Sequence, residues 1–274
     1  NVALNYCLIF GKGGFPAAGI AGAAIASSVS EAVSLLFFII YTSMTADKRK
    51  YGFRRAFTLR PHLLKGMLSI SGWTMVQSFI SVSIWFIFFL AIEHLGERPL
   101  AVTNIVRNIS ALLIMVISAF ATTAGALISN QIGAGEQRCL FKTCGMTLKL
   151  TYAILIPLLI ILCLFPESVL RAFTDSPSLI AASVNSVYVM ASSTLIMAPS
   201  FILFNAVSGT GNTRAGFIME MISLAVYTAV IYYGIIRLKP DVALCWFSEH
   251  VYGVTLIFLA WWYLKSGKWR GKKV

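Results

Sequence analysis

Residues 66–92 read GMLSISGWTMVQSFISVSIWFIFFLAI, a stretch without one charged side chain. A helix needs about 20 predominantly apolar residues to cross the hydrocarbon core of a bilayer, and this run exceeds that. Six further blocks of the same kind lie at 17–44, 100–128, 146–165, 179–206, 215–236 and 242–264. They are long continuous runs, not the short periodic stripes of a water-soluble core. The sequence therefore predicts an all-α membrane protein with seven transmembrane helices. Residues 1–10 read as the end of an eighth, so the chain is expected to continue a longer protein.

Composition agrees. Of 274 residues 58% are hydrophobic and 12% charged, about half the roughly 25% charged residues usual in soluble domains. Mean hydropathy is +0.81. The net charge of +12 raises the question of nucleic acid, and its distribution answers it. Lys48, Arg49, Lys50, Arg54, Arg55, Arg60 and Lys65 crowd the first long polar connection. Arg138, Lys142, Lys149, Arg214, Lys265, Lys268, Arg270, Lys272 and Lys273 fall on the same side by alternation of the spans. The opposite side holds only Lys12, Arg98, Arg171, Arg237 and Lys239. Basic loops near helix ends stay cytoplasmic, which places the 47–65 connection and the C-terminus in the cytoplasm. The charge reads as topology, with the lipid bilayer as partner and no nucleic acid.

The polar stretch 47–65 divides the chain. Residues 1–46 carry the eighth-helix tail and the first full span, 47–65 make a cytoplasmic connection, and 66–274 hold six spans and a basic tail. A short repeat supports that division. Ser30-Glu31-Ala32-Val33 resembles Ser248-Glu249-His250-Val251, and each is followed by an apolar run to a basic flank at Lys48 or Lys265. Repeated halves recur in transporters. Gly19, Gly22, Ala23, Ala26, Ser27 and Ser30 give the first span a small-residue face, which lets helix backbones approach closely in lipid. Pro157 and Pro199 fall inside spans, where each produces a static kink or a hinge.

Charge within a span is costly and marks candidate sites. Glu31 precedes Asp47 by roughly 24 Å of helix rise, which puts it in the outer half of the bilayer, and Glu249 reads at a similar depth. Each is either a coupling or substrate-contacting group or a structural carboxylate near the outer headgroups. Arg107 shares one helical face with Asn104 and Asn108. It serves as an ion-pair partner for a span carboxylate or as part of a polar vestibule. Gln77 is a polar point in the 66–92 helix, explained equally by hydrogen bonding between helices. Glu220 lies soon after Arg214 and is expected to pair near the cytoplasmic end. Cys7, Cys139, Cys144, Cys163 and Cys245 have no metal-ligand spacing, and His62, His94 and His250 are scattered in depth. No nucleophile triad, phosphate loop or zinc motif is present. An enzyme, a metal site and a bound cofactor are not expected.

Three turns give the chain a resemblance. Asn130-Gln131-Ile132-Gly133-Ala134-Gly135-Glu136 closes one span, and Gly209-Thr210-Gly211-Asn212-Thr213-Arg214 opens another. Asn5-Tyr6, Phe10-Gly11, Gly14-Phe15-Pro16 and Gly19-Ile20-Ala21-Gly22-Ala23-Ala24 join the first two helices. In this order and spacing the chain resembles the multidrug and toxic compound extrusion (MATE) family. The resemblance implies twelve helices in two six-helix lobes and a multi-pass protein of the bacterial plasma (inner) membrane. It implies alternating access, with small-molecule drugs or toxic organic compounds, often cationic, exported against H+ or Na+. The chain would then hold the end of helix five, helix six and the whole C-terminal lobe, its partner being the remaining N-terminal lobe. Two departures stand out: the acidic positions the family places in helices seven and ten have no counterpart within 66–92 or 179–206.

Two other readings are weighed against this one. A lipid-linked saccharide flippase of the same superfamily would be expected to line its cavity with several cations, and Arg107 alone lies within a span. A seven-helix receptor or retinal protein shares the span count, but 242–264 contains no lysine for a Schiff base.

Overall fold

The structure, a computed structural model, describes residues 1–47, 60–267 and 269. Most of the 47–65 connection and of the basic tail lies outside them. The described residues form helices and no strand, and seven helices are long and apolar enough to cross a membrane. The chain divides into two compact units, Asn1–His62 and Leu63–Val274.

The first unit is a helical hairpin of α1 (Val2–Phe10) and α2 (Gly19–Thr45). Gly11 ends α1 in the left-handed region, φ 66°, where a side chain would be strained. The Ala18 N–H then donates to the Leu8 carbonyl at 2.9 Å. Of the expected small-residue face, Gly22 and Ala26 are buried and Ala23 and Ser30 half-buried, while Gly19 and Ser27 are exposed. A Cβ on Gly22 would lie 2.5 Å from the Leu8 carbonyl oxygen, so the close approach requires glycine there. The large apolar residues of α2, from Leu35 to Tyr41, are exposed.

The second unit comprises α3 (Pro61–Glu93), α4 (Glu97–Gly133), α5 (Leu140–Leu164), the short α6 (Pro166–Leu170), α7 (Pro177–Gly209), α8 (Thr213–Val230), the short α9 (Val242–Cys245) and α10 (Phe247–Ser266). Each expected span is helical, and most run past their apolar core into polar ends. α3 begins at Pro61, before the predicted 66, because proline suits the first helical turn. α8 continues as a π-helical segment, Ile231–Arg237. The predicted span 242–264 is interrupted at Trp246, which is buried and meets the Phe88 ring at 5.8 Å. Pro157 and Pro199 lie inside α5 and α7.

α4 and α7 form the central pair, with α5 and α10 packed on α7 and α8 packed on α10. The central pair meets backbone to backbone. A Cβ on Gly209 would stand 2.5 Å from the Gly125 carbonyl oxygen, and one on Gly125 would stand 3.0 Å from that of Asn205. α7 and α10 approach similarly at Gly253, whose added Cβ would lie 2.9 Å from Ile196 Cγ2. In lipid such small-residue contacts replace hydrophobic drive as the source of helix association. α3 joins the bundle through side chains. Phe88, Ala91 and Ile92 pack with Tyr227, Ile231, Ile235 and Cys245, and Trp73 packs on Phe217 at 5.1 Å. Between these two contacts α3 leaves a cavity bounded by itself, α4, α7, α8 and α10.

A cavity with two carboxylates

The cavity has a volume of about 410 Å³, within the range of about 300–1,000 Å³ for small-molecule sites. α3 supplies Ser81, Val82 and Trp85, α4 Ile114, and α7 Met197 and Phe201. α8 contributes Glu220, Leu224 and Tyr227, and α10 Glu249 and Tyr252. Helical phase explains the α8 wall. Glu220, Leu224 and Tyr227 stand at i, i+4 and i+7, so they share one face. Glu249 and Tyr252, three apart, do the same on α10.

The polar groups form a ladder. Tyr227 donates its hydroxyl to Glu249 Oε1 at 2.9 Å. Tyr252 and Ser81 both donate to Glu220 Oε1, each at 2.9 Å. The rings of Tyr227 and Tyr252 meet edge to face, 5.8 Å between centroids at 67°. Each tyrosine of one helix thus serves the carboxylate of the other. Along the helix axes the two glutamates are offset by roughly 5–10 Å of rise, from three residues on α10 and seven on α8. Glu220 is buried, 4% exposed, and Glu249 is half-buried. Among the described residues no lysine or arginine lines the cavity. Two carboxylates among aromatic and aliphatic walls, with no resident countercharge, suit a ligand that brings its own positive charge.

The structure brings only some of the predicted site residues here. Glu249 lines the cavity. Arg107 is half-buried on α4, and its guanidinium carbon lies 5.9 Å from the Trp85 ring centre and 5.2 Å from that of Phe89. Its observed partners are therefore aromatic faces of α3, one of which, Trp85, forms the cavity wall. Asn104 is half-buried and Asn108 exposed on the same helix, and Gln77 is half-buried on α3; none of the three lines the cavity. Glu31 is exposed on α2 of the other unit. Despite the sequence repeat, its surroundings differ from those of Glu249.

Glu220 corrects the sequence reading. It does not pair with Arg214, whose guanidinium stands over Trp73 at 5.9 Å; it points inward to Ser81 and Tyr252. Its alignment with Tyr227 on one helical face was the available signal. No group of three or more His, Cys, Asp or Glu side chains capable of holding a metal occurs among the described residues.

Fold and cavity together define a multi-pass membrane protein with a solute-sized chamber inside a six-helix unit. The chain belongs to the MatE family, whose model matches residues 74–233, and members of that family are transporters, not enzymes. Over its whole length the chain is 25% identical to a probable multidrug resistance protein NorM of Thermotoga maritima, covering 59% of that protein. Over 82% of its length it is 24% identical to the uncharacterized transporter YisQ of Bacillus subtilis, covering 49% of it. The chain spans about half the length of the curated relatives it matches. Among solved structures, a MATE in the bent conformation shares its fold with a TM-score of 0.66 at 13% identity, over 77% of this chain and 48% of that one. An outward-facing multidrug resistance MATE family transporter of the MOP superfamily gives 0.66 at 14% identity, over 74% and 46%. Such transporters have twelve helices in two lobes.

Proposed function

We propose that this chain forms part of a secondary active multidrug exporter, which moves organic compounds, often cationic, out of the cell in exchange for H+ or Na+ by alternating access. The observation that carries this reading is the cavity, apolar and aromatic on every wall and provided with two carboxylates but, among the described residues, no cation of its own. Apolar area and ring faces bind a flat organic body, while a carboxylate sets the preference for positive charge. Glu249, half-buried and held by one hydroxyl, is the group a cationic drug meets. Residues 1–46 close one lobe, 47–65 link the lobes in the cytoplasm, and 66–274 form the second lobe in the bacterial inner membrane with a cytoplasmic C-terminus.

A flippase for lipid-linked saccharides would present cations to a pyrophosphate, and a chamber with two carboxylates repels that anion. Ethidium efflux from cells expressing the native gene product is the test, with Glu249→Gln alongside. Export by the native protein and at least a tenfold loss in the variant are expected. Export unaffected by Glu249→Gln removes this carboxylate from the drug path, and no export of any organic cation by the native protein refutes the function.

A further inference from the structure

Drug contact at Glu249 leaves the chemistry of Glu220 unused. Glu220 Oε1 takes two hydroxyl donors, but its Oε2 is buried without any hydrogen-bond partner. One turn along α8, Ser223 is 0% exposed and its Oγ is also buried and unpartnered. Residues three apart on a helix are surface neighbours, so the two bare oxygens belong to one patch of the α8 face. A buried polar atom without a partner costs about 1–3 kcal/mol, and more when it carries charge. Native proteins satisfy nearly all such atoms. Both oxygens call for a proton or a positive ion.

We infer that Glu220 Oε2 and Ser223 Oγ form a site for a small monovalent cation, separate from the drug contact at Glu249. In the exchange proposed above, on which this role rests, that cation is the coupling ion. A sodium ion takes the two oxygens as ligands, with Ser81 Oγ and Tyr252 Oη close by on the other carboxylate oxygen. A proton on Oε2 makes it a donor that Ser223 Oγ, not hydrogen-bonded to it in this structure, turns to accept. Either brings one positive charge against one carboxylate, whereas a divalent ion leaves charge uncompensated in a desolvated place. Around the cavity that Glu220 faces, α3 presents Ser81 and Trp85, the latter backed by Arg107, α8 Tyr227, and α10 Glu249 and Tyr252. α4 and α7 present Ile114, Met197 and Phe201, none of them titratable. The site lies on α8, away from the helices in which the family resemblance places its acidic positions. Because Glu220 also receives hydroxyls from α3 and α10, a cation on its free oxygen acts on the group that ties these helices together.

Thermal unfolding of the native gene product purified in detergent tests the site, in NaCl against choline chloride at equal ionic strength and across a pH series in choline chloride. A midpoint that rises saturably with NaCl identifies sodium, and one that rises only on acidification identifies a proton. In either case Glu220→Gln abolishes the response and Glu249→Gln retains it. Ser223→Ala shifts the half-saturating NaCl concentration about tenfold, or reduces the acid response, as expected for loss of one oxygen partner. If Glu220→Gln fails to elute as a single species, Ser223→Ala and Ser81→Ala decide by the same readout. The inference is overturned by a response undiminished in the Glu220 and Ser223 variants, by one lost in Glu249→Gln alone, or by none in the native protein. Ethidium export in the same strains separates the two readings. Export without dependence on Glu220 refutes the coupling role, while a Glu220-dependent cation response without export upholds the site and removes drug efflux.

Discussion

Gly209→Ala should open the central seam of the six-helix unit. The added Cβ would stand 2.5 Å from the carbonyl oxygen of Gly125, and a comfortable contact is about 3.5 Å. α4 and α7 must therefore separate by about 1 Å, since the obstructing atom is helical backbone and cannot rotate aside. Overpacking of this kind costs about 1–3 kcal/mol, and the absence of a yielding side chain places this case near 3. For a unit of this size 1 kcal/mol moves the unfolding midpoint by roughly 2–4 °C, which gives a loss of about 6–12 °C. Gly216→Ala is the matched control. Its Cβ would meet Ser208 Oγ at 3.6 Å, an ordinary contact, and alanine in a helix is favoured by up to about 1 kcal/mol. Midpoints measured by loss of the monodisperse peak in size-exclusion chromatography after heating should fall for Gly209→Ala and hold or rise for Gly216→Ala. Equal midpoints would show that α4 and α7 do not meet at these glycines.

Asn212 caps α8 by accepting from the Ala215 N–H at 3.3 Å and donates to the Tyr263 hydroxyl at 2.6 Å. Asn212→Ala should cost about 2 kcal/mol, Tyr263→Phe about half of that, and the double variant no more than Asn212→Ala alone; thermal midpoints of the three variants check the cycle. Arg107→Lys keeps the charge but loses the planar group lying against Trp85 and Phe89. A loss of about 1 kcal/mol is expected, together with a shift in tryptophan emission. Cys144 and Cys245 are buried and should resist maleimide in the folded protein, whereas half-buried Cys7, Cys139 and Cys163 are labelled before them; mass spectrometry of the peptides reads the order.

The spans were legible because a bilayer demands long uncharged runs, and nothing else in protein chemistry produces one like 66–92. The packed face of α2 was legible for a related reason, since Gly22 and Ala26 repeat at the spacing that brings backbones together. The seam at Gly125 and Gly209 was not, because two lone glycines in different spans carry no mark of being opposite one another. Glu249 stood out as a charge in a span. Glu220 was assigned to the wrong partner because its distance along the chain from Arg214 suggested a membrane-end pair, and distance says less than rotational phase. Arg214 goes to Trp73, and the phase of Glu220 matches that of Tyr227. The two tyrosines were hidden among 10 in the chain. Only the antiparallel pairing of α8 with α10 gives each of them a carboxylate.

The π-helical turns at Ile231–Arg237 bear on how the far end of α8 is indexed to the cavity. Such turns bond to the fifth residue along, so they hold more chain per revolution than the α-helix below them. Tightening them to α geometry by one hydrogen-bond step would swing Tyr232, Tyr233 and Arg237 by roughly 100° about the axis, while Glu220 and Tyr227 kept their bearings. A single residue inserted or deleted in this segment is thus absorbed locally, and the ionisable rungs beneath it stay in register.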